Sequence, residues 1–145
     1  MKPSNKIATG IAAGALFTGG AAFAATNADA VHLALDSLLV ASSKMSVVNA
    51  TRSSGKAPSS NAEARLGAPN TMTTNEISGI TVSQGGVISI YLSPATGTDH
   101  GVVQYVPKMV KGKKGGNAVL FDCVSPNIVD IAKVAGDCAY RAAAK

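Results

Sequence analysis

The 145-residue chain is mildly basic and poor in aromatics: its net charge is +5, 14% of its residues are charged and 4% are Phe, Trp or Tyr. Two of the positive charges, Lys2 and Lys6, lie at the extreme N-terminus, so the remaining excess is too small to argue by itself for a nucleic-acid partner. A chain of this length has room for one domain with a modest core.

Met1 to Lys6 form a short basic head, and Ile7 to Ala25 follow as an uncharged run of Ile, Ala, Gly, Leu, Thr and Phe. The run ends in Ala22-Phe23-Ala24, a small-x-small pattern that signal peptidase cuts. Residues 1–24 are therefore read as a cleaved signal peptide, with the cut after Ala24 or one residue later, and 25–145 as the mature domain. The other reading, a permanent membrane anchor, fits the length of the run but not its high Gly and Ala content. Export places the chain in an oxidising space. There its only two cysteines, Cys123 and Cys138, are expected to form a disulfide that stabilises the fold by about 3 kcal/mol.

From about 27 to 52, Val31, Leu35, Leu38, Ala41, Met45 and Val48 recur at steps of three and four, which predicts one long helix with these residues on its buried face. Asn27 or Asp29 is the candidate cap, and Ser53-Ser54-Gly55 the stop. Residues 53–75 read as a loop rich in Pro, Ser, Asn and Gly, with a short helical turn over Asn61 to Leu66. From about 76 to 123 the period changes to two. "EISGITVSQGGVISIYLSP" predicts a hairpin turning at Gln84-Gly85-Gly86, and "GVVQYVPKMV" and "NAVLFDCV" predict two more strands, with Pro107 marking an edge or a bulge. The fold class is α+β: a long N-terminal helix on a roughly four-stranded antiparallel sheet, followed by a disulfide-bounded loop over 123–138.

In chain order these pieces resemble the globular part of a type IV pilin of the IVa kind. "ALDSLLVASSKMSV" resembles the second half of the pilin spine helix, "GKAPSSNAEARLGAP" the connecting loop and "NEISGITVSQGGVISIYLSP" the first hairpin. "FDCVSPNIVDIAKVAGDC" resembles the terminal region that a disulfide encloses. The resemblance implies a structural or adhesive subunit of an extracellular fibre. It implies a place in the periplasm, on the cell surface or in the fibre, and partners among other pilin subunits, pilus assembly components and host or environmental surfaces.

The chain departs from the pilin pattern at its start. A pilin precursor has a glycine at its cut, then Phe, with Glu at the fifth position. Gly10 and Gly14 are followed by Ile11 and Ala15, and the fifth residues after them are Ala15 and Gly19. This departure points to the alternative, a soluble exported pilin-like module that binds pilus components, a surface receptor or DNA without polymerising.

Residues for other chemistry are few. His32 and His100 lie far apart in the sequence, no serine sits in a nucleophile elbow, and the His and Cys spacings match no zinc pattern. No catalytic residue, cofactor or metal is expected. Gly85-Gly86 and Gly115-Gly116 belong to hairpin turns with no helix start behind them, which is not a phosphate loop. The remaining candidate surface is basic: Lys108, Lys111, Lys113 and Lys114 on one hairpin could follow a phosphate backbone, or merely keep an exposed edge soluble. Tyr105 is the one aromatic near enough to stack a base.

Overall fold

In the computed structural model, which describes residues 22, 24, 25, 27–98, 100–113 and 115–142, the first regular element is helix α1, Ala28–Leu35. The expected signal peptide lies almost wholly outside the described residues. Asn27 caps the helix: its side-chain oxygen accepts a hydrogen bond from the Ala30 amide at 3.2 Å, satisfying a donor that the first turn leaves without a helical partner.

The single helix expected over 27–52 is interrupted. Asp36 closes α1, Ser37 is extended at φ −68°, ψ 153°, and helix α2 runs Leu38–Ser54. Ser37 caps α2 by accepting a hydrogen bond from the Val40 amide at 3.3 Å. Asp and Ser side chains compete with helical bonding for nearby backbone groups and so favour caps over helix interiors. The break also turns the second helix. It buries Val40, Ser43 and Val47, and leaves Leu38, Ala41 and Met45, which the periodicity placed in the core, exposed to solvent. At 3.6 residues per turn Val40 would stand about 140° from Leu35 around an unbroken helix, yet both are buried in the same core. Ser43 is buried without penalty because its hydroxyl donates to the Leu39 carbonyl at 2.7 Å. Gly55, at φ 80°, ends α2 in the left-handed conformation.

The sheet has five strands in the order β1 (Ile77–Ser83), β2 (Val87–Leu92), β3 (Val102–Lys111), β4 (Asn117–Ser125) and β5 (Cys138–Tyr140). The first four pair antiparallel, and β5 runs parallel to β4 with Cys138 opposite Cys123. The roughly four-stranded antiparallel sheet is therefore corrected to a mixed sheet. A parallel neighbour needs a crossover, and residues 126–137 supply it with a single helical turn, α3 (Ile131–Val134). The expected disulfide-bounded loop is thus a turn, a helix and the entry to a strand. Much of it is interior: Ile128, Ile131, Val134 and Ala135 are buried.

One face of the sheet lies under the helices. Ile80, Ile88, Ile90, Val103 and Tyr105 share a core with Val31, Leu35, Val40 and Val47. The layers approach closely at the turn between β1 and β2. There a Cβ on Gly86 would stand 3.2 Å from Val47, Ala57 and Pro107, and the residue has φ 77°. Pro107 lies past Tyr105, the last residue of β3 that β2 pairs with, so its missing N–H costs no bond to β2.

Two buried asparagines stand in for strands. Asn61 donates to the Ile80 carbonyl at 2.9 Å and accepts from the Val82 amide at 2.6 Å on β1, a sheet edge. Asn127 donates to the His100 carbonyl at 2.9 Å and accepts from the Val102 amide at 3.0 Å where β3 begins. In each case one amide side chain meets a carbonyl and an amide two residues apart, as a neighbouring strand would.

Candidate functional site

The lysine-bearing hairpin extends beyond the sheet. β2 pairs with β3 only as far as Tyr105, and β5 pairs with β4 only from Cys123, so β3 beyond Tyr105 and β4 before Cys123 form a two-stranded ribbon. Strand residues alternate between faces, which puts Lys108 on one face and Lys111 on the other. The Lys108 ammonium lies 2.9 Å from the Asp122 carboxylate, a half-exposed pair that neutralises the lysine. Lys113 is exposed in the turn, and Lys114 lies outside the described residues. Among the described residues Lys111 and Lys113 are the members of the group without an acidic partner. Exposed apolar side chains are interleaved with them: Met109 on the Lys111 face, and Val110 and Leu120 on the Lys108 face.

Tyr105 is not available to stack a base. Its ring is buried, and the Lys44 ammonium covers it at 3.7 Å from the centroid. Burial raises the Tyr105 phenol well above its ordinary range, and the carboxylates of Asp137 and Asp36 push it the same way. The Lys44 ammonium is lowered by its partial burial, with Asp137 and then Asp36 opposing the shift.

Cys123 and Cys138 form a disulfide between directly opposed residues of β4 and β5, their Cα atoms 4.4 Å apart. Beside it Ser125 donates to the Val102 carbonyl at 2.6 Å and accepts from the Ile128 amide at 2.9 Å. The Ser125-Pro126-Asn127 turn therefore ties the enclosed segment to the start of β3. The exposed rim of this segment is Val129, Ala132, Lys133, Gly136 and Asp137, with Asp130 half-buried beside it. No protein-family model matches the chain, and no curated protein matches it.

The break between α1 and α2 leaves a third surface on the outer side of α2. Leu38, 87% exposed, and Met45, 59% exposed, lie with Ala41 at steps of three and four along the outer side of α2. A stripe of this kind is what a second helix or another apolar surface covers. The histidines do not converge: His32 lies 3.7 Å from Asp36 on α1, and His100, at φ 72°, lies in the turn before β3. Among the described residues no three His, Cys, Asp or Glu gather as a metal-binding group.

Proposed function

We propose that the protein is a pilin-like structural or adhesive subunit of an extracellular type IV pilus fibre, which contacts other pilin subunits and an environmental or host surface. The observation that carries this reading is the double character of the helical span. Val40 and Val47 pack on the sheet while Leu38, Ala41 and Met45 face outward. A helix with apolar residues on both sides has one side for its own domain and one for a neighbour. The disulfide and the apolar N-terminal sequence go with an exported chain, in the periplasm, at the cell surface or in the fibre.

The alternative is a soluble exported pilin-like module that binds pilus components, a surface receptor or DNA. It is favoured by the absence of the Phe and Glu of the pilin start. DNA is the less supported of these partners, since Lys108 is held by Asp122 and Tyr105 is covered. Shearing surface fibres from cells and testing them for this chain separates the two readings. Recovery in the filaments supports the subunit, and recovery only as a monomer in the periplasm or medium overturns it.

A further inference from the structure

We propose that Asp130 is the acceptor for the amino terminus that is created when the chain is cut between Ala24 and Ala25. The main-chain nitrogen of Ala25 donates to the Asp130 carboxylate at 2.8 Å, a contact between positions 105 apart in sequence. The Ala25 side chain packs against the hydrophobic core, which fixes the place of that nitrogen. Asp130 stands where a cap for α3 would stand, yet its side chain makes no capping bond there. Its carboxylate is given instead to residue 25. Just beyond, Asn27 donates to the Ala95 carbonyl at 3.3 Å and caps α1, so the incoming chain is held on a second side.

The cut changes the chemistry of this contact without moving it. Before processing, the Ala25 nitrogen is a neutral amide with one hydrogen. Signal peptidase adds water across the Ala24–Ala25 bond: the hydroxyl passes to the Ala24 carbonyl, which leaves as a carboxylate, and the nitrogen becomes a primary amine that takes up a proton at neutral pH. A hydrogen bond from a neutral amide to the carboxylate then becomes an ammonium–carboxylate pair, with charge on both partners. Processing at one end of the chain would thereby fasten the crossover between the two cysteines near the other. A chain that is still attached to its signal keeps the amide hydrogen bond but lacks the ion pair. The inference rests on the export reading of residues 1–24.

The exported protein decides it. Mass spectrometry gives the first residue of the mature chain, and a limiting acylating reagent at neutral pH gives the rate at which its α-amine reacts. Wild type, Asp130→Asn and Asp130→Glu are compared. The expected result is a start at Ala25 and an α-amine that reacts about tenfold faster in Asp130→Asn, the factor that one unit of amine pKa represents. Asp130→Glu stays near wild type, and exposed lysines react alike in all three. A start at Ala25 with equal α-amine rates overturns the docking and leaves the export reading standing, whereas a start elsewhere overturns both. Should Asp130→Asn fail to accumulate, the wild-type amine is compared in the folded protein and in denaturant: about tenfold protection on folding supports the pair, and equal rates overturn it.

Discussion

The ammonium of Lys44 stands 3.7 Å from the centroid of the Tyr105 ring, so a charge on α2 caps an aromatic face on β3 and joins the two layers of the fold. A partly desolvated contact of this kind contributes about 1 kcal/mol, and the lysine stem adds packing. Lys44→Ala is expected to lower stability by about that amount at neutral pH, as measured by urea denaturation. Lys44→Arg, which keeps a cation over the ring, should lose less.

The same neighbourhood governs behaviour in alkali. Burial raises the phenols of Tyr91 and Tyr105, so the folded chain keeps protons that the unfolded chain releases as pH passes the ordinary tyrosine value of 10.0. Stability contributed by these groups is therefore complete below that value and is lost above it. Lys44, lowered by burial, works in the opposite direction over the range just below its ordinary 10.5, but it is one group against two. Melting temperature should hold from pH 8 to about 10 and then fall. Tyr105→Phe should make the fall shallower, and an equally steep decline in Tyr105→Phe and Tyr91→Phe would remove the tyrosines as its cause.

The two strand-mimicking asparagines are expected to be among the costliest polar positions to change. Asn61→Ala leaves the Ile80 carbonyl and Val82 amide without their partner, and Asn127→Ala does the same at His100 and Val102. Asn61→Ala should destabilise by about 2–4 kcal/mol in denaturant unfolding and Asn127→Ala by about 1–3 kcal/mol, the cost of removing the partner of a buried backbone group. Asn→Asp at neutral pH buries an unpaired charge against the carbonyl that the amide had bonded, so it should cost at least as much as alanine.

Cys123→Ser should lower the melting temperature by about 10 °C without reductant, the consequence of losing roughly 3 kcal/mol. Reductant should bring the wild type down to the same value. An unchanged melting temperature would show that the bridge contributes nothing to the fold.

Leu38→Glu combined with Met45→Glu places two charges on the outer stripe of α2 and none in the core, since both side chains are exposed. Stability should change by less than about 0.5 kcal/mol. Incorporation into sheared fibres should fall to background. Unaltered incorporation would move the subunit contact away from this stripe.

Much of the fold could be read from the sequence, and the failures have physical causes. The turn at Gln84-Gly85-Gly86, the four longer strands and the stop at Gly55 all rest on local signals, alternation and left-handed glycine. The break at Asp36-Ser37 is also a local signal, a cap pair inside a helical period, but the period continued through it and hid it. Once the break is present the apolar positions beyond it change sides, which is why Leu38 and Met45 lie in solvent. β5 was invisible because three residues have no period, and what fixes it is its pairing with β4 and the disulfide. The role of Asn61 depends on a contact nineteen residues away, which no neighbouring residue announces. For the candidate surface, the lysines were legible as a group in sequence, but their division between two faces and the Lys108–Asp122 pair depend on strand register.

The ribbon that carries those lysines has a thermodynamic character of its own. From Val106 and Asp122 outward each strand has a single neighbour, and no third strand shares the load among the described residues. Two strands without a third are marginal in water. The outer end can therefore open while the rest of the sheet stays closed, at a small fraction of the global unfolding free energy. Its amides from Met109 to Gly112 and from Asn117 to Val119 should exchange with solvent orders of magnitude faster than those of Ile88 or Val103. The Lys108–Asp122 pair stands near the base of the arm, where fraying would have to stop. A partner that bound this arm would have to order it first, and its affinity would be reduced by that ordering entropy.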